Sequence, residues 1–305
     1  MRPPVDPKLD AVFKLLFARP ENRNLLVSLL TAVLCPPEPI VDVTVLDPEL
    51  PKDLADDKGA WLDVLVRLED GRQVDVEMQS CSRPDLRQRA LFYWSRLYSG
   101  QIGRGVPHSA LQAAVSVFIL AFRDLPGPRF HSKFRVLEVR SHEPFSEHLE
   151  LHVVELPKLD DLAGDLEEAD LVRWGRFLAA ETAEDREELA MQDPVMKEAK
   201  EALDRLSDDP AVQELAQRRK YEQYFYQHEL QVMREEGEAT GHTKGHAEGR
   251  AEGRVEVQRS MVGRMCEVLG IELDEQKRQA VAGMSDAELE ALLDALTRER
   301  RWPAP

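Results

Sequence analysis

The sequence predicts an α/β protein, with a mixed central sheet flanked by helices and an all-helical C-terminal extension. Three observations carry this. Between Ile40 and Leu156, short β-branched or alternating runs are interleaved with one helical stretch. The order helix, hairpin, helix, buried strand is that of an α/β sandwich. Beyond Leu156 no strand pattern recurs, and acidic helical runs take over.

Asp6 to Leu34 reads as helical: Leu9, Val12, Phe13, Leu16 and Phe17 recur at helical spacing, Arg19-Pro20 breaks the run, and Cys35-Pro36-Pro37 closes it. Ile40 to Leu46 is strand-like and ends at Asp47-Pro48. Trp61 to Leu68 and Gln73 to Gln79 alternate with period two around Asp70-Gly71, a hairpin signal. Asp85 to Gln101 is helical and basic, and Gly100, Gly103 and Gly105 end it. Ala113 to Phe122 is continuously apolar, as a strand covered on both faces would be. Phe134 to Val139 and Leu149 to Leu156 follow as strands. Helices are expected over Glu167 to Ala180, Asp185 to Met191, Val195 to Leu206 and Ala211 to Met233. The last of these runs into glycines at 237, 241, 245, 249 and 253. Val255 to Trp302 reads as two short helices, the second opened by a capping box at Ser285 and Glu288.

Composition narrows the class. No apolar run approaches the roughly 20 residues that span a bilayer, and no signal-peptide pattern opens the chain. Three scattered cysteines, Cys35, Cys81 and Cys266, lack metal-ligand spacing and read as free thiols, so a reducing cytoplasm is expected. The net charge of −17 is uneven: Ser80 to Arg140 holds ten Lys/Arg against three acids, +7, leaving −24 elsewhere. A basic surface on an acidic body fits a polyanion-binding face. Scattered, solvated arginines fit the same count.

The hairpin's register decides whether its acids can cooperate. A two-residue turn at Asp70-Gly71 would send Asp63 and Glu77 to opposite faces of the sheet. A three-residue loop, Glu69-Asp70-Gly71, with Gly71 left-handed in a bulge, sets Asp63 opposite Glu77 and Trp61 opposite Gln79. Opposed side chains then have Cβ atoms about 5 Å apart. Leu62, Val64, Val66 and Leu68 join Val74, Val76 and Met78 on the apolar face, with the acids expected on an outward face. Two such carboxylates repel unless a cation neutralises them, which favours Mg²⁺ or Mn²⁺ with oxygen ligands. Simple solvation of an exposed Asp and Glu is the other reading.

Ordered motifs then point to a family. Asp6-Pro7-Lys8-Leu9-Asp10, Phe13-Lys14 and Phe17 open it; Asp56-Asp57-Lys58 precede Leu62-Asp63-Val64; Val76-Glu77-Met78-Gln79 follows. Arg89, Tyr93, Ser95, Leu97-Tyr98, Gln101 and Gly105 fit the next helix, then Glu155-Leu156-Pro157-Lys158, Trp174 and Phe177-Leu178. Spaced over about 250 residues and ending in the glycine ladder, this resembles the Rpn (recombination-promoting nuclease) group of PD-(D/E)XK nuclease family transposases.

The resemblance implies a restriction-endonuclease-like core and a Mg²⁺- (or Mn²⁺-) dependent DNA endonuclease, promoting recombination or acting on mobile or invading DNA. Asp63, Glu77 and Gln79 would be catalytic, with Asp63 and Glu77 holding the metal beside the Met78 carbonyl. Gln79 replaces the usual Lys and brings no charge; Arg89 or Lys14 would supply it, and Asp10 is an accessory acid or a helix cap. Arg87 and Arg96 would contact DNA phosphates. His108 stands where the family has Tyr and reads as structural. The expected organisation is 1–158 nuclease core, 159–233 acidic helical extension, 234–254 glycine-ladder helix or linker, and 255–305 small helical segment. The charged ladder excludes a membrane helix pair. A helix–helix contact, a linker or a repeat-generated segment remain, and a homo-oligomer through the C-terminal helices is expected. The rival to an endonuclease is a catalytically weak DNA-binding or assembly protein of the same fold; RNA is the rival substrate.

Overall fold

A computed structural model describes residues 3–46, 63–162 and 168–303, with the backbone alone for 236–252. The chain divides into two compact units, Met1–Phe225 and Tyr226–Pro305.

In the first unit, helices α1 (Asp10–Phe17) and α2 (Arg23–Leu34) are separated by a 3-10 turn at Pro20–Asn22. The break falls at Arg19-Pro20 because proline cannot continue a helix but starts one well. Strands β1 (Val43–Val45), β2 (Val64–Leu68) and β3 (Gln73–Gln79) follow, then α3 (Leu86–Ser99). Strands β4 (Ala114–Leu120), β5 (His131–Leu137) and β6 (Pro144–Glu155) complete a six-stranded sheet in the order β1-β2-β3-β4-β6-β5. β3, β4 and β6 run parallel, and the remaining pairings are antiparallel. The sheet is therefore mixed. Helix α3 is the crossover between parallel β3 and β4, as parallel neighbours require.

Every residue of β4 is buried, which explains its unbroken apolar run. One face of the sheet, including Val64, Val66, Val74 and Val76, packs with α1, α2, α4 (Ala169–Ala179) and α6 (Pro194–Asp208). Trp174 of α4 lies 5.5 Å from the Phe17 ring, and its indole N–H donates to Ser28 Oγ at 3.1 Å. The other face is covered by α3, where Leu97, Tyr93, Trp94 and Tyr98 pack with Leu65 and Ala114. The core continues through α5 (Ala183–Gln192) into the start of α7 (Pro210–Leu269), where Val212 and Ala216 are buried.

Glu155 and Lys158 form a structural pin. Both are almost fully buried. The Lys158 ammonium binds the Glu155 carboxylate and donates to the Leu125 carbonyl at 2.9 Å. Glu155 Oε1 accepts the Asp124 and Leu125 N–H groups at 2.6 and 3.1 Å, fixing the chain beyond β4.

The second unit holds the end of α7, α8 (Glu275–Gly283) and α9 (Asp286–Glu299), around Val262, Cys266, Leu289 and Leu296. The capping box at Ser285 and Glu288 is present. The glycine ladder lies within α7; a Cβ added at Gly253 would meet nothing within 4 Å. Among the described residues no helix is long and apolar enough to cross a membrane.

Candidate active site

Glu69, Asp70 and Gly71 join β2 to β3. The Leu68 N–H donates to the Arg72 carbonyl at 2.9 Å, and the Gly71 N–H to the Leu68 carbonyl at 3.0 Å. Gly71 has φ +90°, a conformation that side-chain-bearing residues rarely adopt. This bulged three-residue loop sets Val64 opposite Val76, Leu65 opposite Asp75 and Val66 opposite Val74. One residue further, the Asp63 N–H donates to Glu77 Oε1 at 3.0 Å, and the Met78 N–H to Asp63 Oδ2 at 2.8 Å. The Gln79 side-chain amide donates to Glu77 Oε2 at 3.1 Å. Asp63, Glu77 and Gln79 are thus brought together. Asp56-Asp57-Lys58, Trp61 and Leu62 lie outside the described residues.

The acids do not face outward, contrary to the expectation from alternation. Glu77 is 2% exposed and Asp75 0%, because α3 lies over their side of the sheet. Asp75 is a site residue that the sequence reading missed, though it sits on the same strand face two residues before Glu77. Among the described residues its oxygens meet no N–H or hydroxyl donor, only the neighbouring Glu77 carboxyl with which a proton can be shared, and Ser116 Oγ beside it on β4 is likewise without a partner.

Burial and mutual repulsion dominate the electrostatics. Burial pushes the Asp63 carboxyl up to about 7; Asp10 adds to the rise, while the Met78 N–H, Lys14 and Arg219 oppose it. Glu77 is held well above the usual carboxylate range by burial, then by Asp75 and Asp63. Asp75 is raised by burial and by Asp63.

The expected accessory groups divide. Asp10 accepts the Ala11 N–H at 2.8 Å, a helix-start role, and lies 3.5 Å from Arg219 Nε. Lys14 acts on Asp63 through space. Arg89 stands on the α3 side, where its field acts on Glu77. Its Nη2 lies 3.1 Å from the Tyr93 hydroxyl, and its guanidinium carbon 5.3 Å from that ring's centre. Arg87 is exposed but bridged to Asp124 at 3.2 Å, and Arg96 is half-buried on the same helix. The positive stretch is therefore not one free surface: Arg123 pairs with Asp161 at 2.6 Å, and Lys133 and Arg135 pair with Glu150 at 2.6 and 3.0 Å. His108 sits exposed in a short 3-10 turn, His108–Ala110.

Two adjacent carboxyls with raised proton affinity, both hard oxygen donors, fit a divalent cation such as Mg²⁺. Among the described residues no group of three or more His, Cys, Asp and Glu side chains is arranged to hold a metal. The fit is therefore to an ion that keeps waters or takes backbone oxygens.

The model of one protein family, PD-(D/E)XK nuclease family transposase, matches residues 7–231. The chain belongs to this family. No curated protein and no solved structure matches it. Membership in the PD-(D/E)XK nuclease family transposases supports a nuclease-type function, and nucleases of the PD-(D/E)XK kind generally use divalent ions. Within the matched span the motifs divide by role. Trp174, Phe177, Glu155 and Lys158 build the fold, whereas Asp63, Glu77 and Gln79 meet at one end of β3.

Proposed function

We propose that this member of the family is a divalent-cation-dependent endonuclease that hydrolyses phosphodiester bonds in DNA, in recombination or on mobile or invading DNA. Asp63, Glu77 and Gln79 are its catalytic residues. The observation that carries the reading is the hydrogen-bonded opposition of Asp63 and Glu77 across a bulged hairpin. Mg²⁺ or Mn²⁺ held by these two carboxylates would polarise a phosphate oxygen and acidify a water.

The chain's own groups prepare that site. The Met78 N–H fixes the Asp63 carboxylate, and the Gln79 amide fixes that of Glu77. Cover by α3 limits water around Glu77, strengthening every charge interaction there. Hydrolysis joins a water oxygen to phosphorus and breaks one P–O ester bond, the departing oxygen taking up a proton. Self-association through the C-terminal helices belongs to the same proposal.

The test is nicking of supercoiled plasmid with Mg²⁺ or Mn²⁺, with RNA alongside, by wild type, Asp63→Ala and Asp63→Asn. The expected outcome is cleavage by wild type and none above background by either variant, with circular dichroism showing both folded. Equal nicking by wild type and the folded variants would overturn the nuclease reading.

A further inference from the structure

Among the described residues the site is strongly acidic. Four acids cluster here, Asp10, Asp63, Asp75 and Glu77, yet a nuclease must bring a phosphate diester among them. Gln79, where PD-(D/E)XK motifs have Lys, is neutral, and its amide is engaged by Glu77. Arg89 is half-buried on the α3 side and held by Tyr93. Among the described residues Lys14 of α1 acts on Asp63 through space, and a further cation reaches the site from an element far away in sequence.

That cation is Arg219, in the third turn of α7. Its Nε lies 3.5 Å from Asp10 Oδ1, and its Nη1 lies 2.8 Å from Glu222 Oε2 one turn on. Its side chain remains 40% exposed, so the guanidinium borders both the acids and solvent. The field of Arg219 is felt at Asp63 itself. The helix is fixed in place here: the Gln223 amide donates to Ser80 Oγ, the residue immediately after Gln79. α7 is thus pinned to the end of the strand that carries Glu77 and Gln79.

We propose that Arg219 is a substrate-contacting residue of this site, binding the scissile phosphodiester and supplying the positive charge that Gln79 lacks. Its planar fork matches two phosphate oxygens, and its charge persists at any working pH. The Asp10 contact orients the guanidinium and gives way in part when phosphate arrives. The assignment rests on the nuclease reading, but it also has a consequence for DNA binding alone.

The test uses full-length protein, with Arg219→Gln, Arg219→Lys and Asp10→Asn beside wild type. Duplex binding is followed by fluorescence anisotropy in Ca²⁺ over a salt series, and plasmid nicking in Mg²⁺ and Mn²⁺. Arg219→Gln is expected to weaken duplex binding about tenfold and to lower the salt slope by about one. It should also slow nicking, with Arg219→Lys restoring part of both. Asp10→Asn, which releases Arg219, should hold or raise DNA affinity. Binding and nicking by Arg219→Gln equal to wild type would overturn the proposal, as would the same loss in Asp10→Asn, which marks a strut between α1 and α7. Wild type that binds DNA without Asp63-dependent nicking sinks the nuclease reading, and the anisotropy arm then still decides Arg219. Wild type that binds no DNA overturns both.

Discussion

At Asp75 a carboxyl with no exposed surface lies beside Glu77 and Asp63, and among the described residues its oxygens meet no N–H or hydroxyl donor, only the Glu77 carboxyl. Burial and like charge raise all three groups, so each holds its proton to higher pH in the native state than in the unfolded chain. The unfolded carboxyls titrate near about 4. Above that range the native state binds more protons, so stability falls as pH rises, for Asp63 up to about 7. Asp75→Asn replaces the titratable carboxyl with a neutral group of the same shape. It should raise the melting temperature of the cation-free protein more at pH 8 than at pH 5, because the native carboxyl holds its proton to higher pH than the unfolded one. Mg²⁺ should likewise raise the wild-type melting temperature more at pH 8 than at pH 5, because protons compete for the same oxygens. Scanning calorimetry at the two pH values reads both differences. Equal shifts at pH 5 and pH 8 would mean that these carboxyls are not proton-loaded in the native state.

The β2–β3 hairpin makes the site depend on a single backbone angle. Gly71→Val places a β-branched residue at φ +90° and its Cβ 3.4 Å from Gln112 Cγ. The strain costs about 1–3 kcal/mol. The chain can relieve it by closing a tighter turn, but a one-residue slip sends every side chain of the slipped strand to the other face and separates Asp63 from Glu77. The expected result is a lower urea midpoint together with loss of nicking; a variant that keeps both would show that the bulge is dispensable. This register was legible in the sequence because Asp-Gly between alternating runs allows only two loops, and only one unites the acids. β4 was legible for a similar reason, since an unbroken apolar run requires cover on both faces. The cover over the acids was not legible, because the apolar side chains of α3 alternate with arginines and look half-solvated. Asp75 stands outside the motif residues, although period two puts 73, 75, 77 and 79 on one face. Arg219 carried no local signal: in Arg218-Arg219-Lys220 it looks like any solvated helix face, and only tertiary packing brings it to Asp10.

Across the whole molecule, one apolar core runs from Val5 to Ala216, so the helices after β6 are part of what holds the sheet. Trp174, Phe177, Leu203 and Leu206 are each no more than 2% exposed. Burying a large apolar side chain stabilises by about 1.5–3 kcal/mol. These four together therefore contribute about 6–12 kcal/mol, comparable with the total stability of about 5–15 kcal/mol of a typical domain. A chain ending at Lys158 loses them and should fail to fold, showing no cooperative melt by circular dichroism. A chain ending at Met233 keeps the unit that closes at Phe225, the span matched by the family to residue 231, and Arg219 with Gln223. The segment it discards has its own cluster around Val262, Leu289 and Leu296. The 1–233 chain should therefore melt cooperatively and retain Asp63-dependent nicking per molecule, and light scattering beside the full chain will show whether self-association went with the removed helices. Loss of cooperative melting in 1–233 would mean that the first unit needs the second in order to fold.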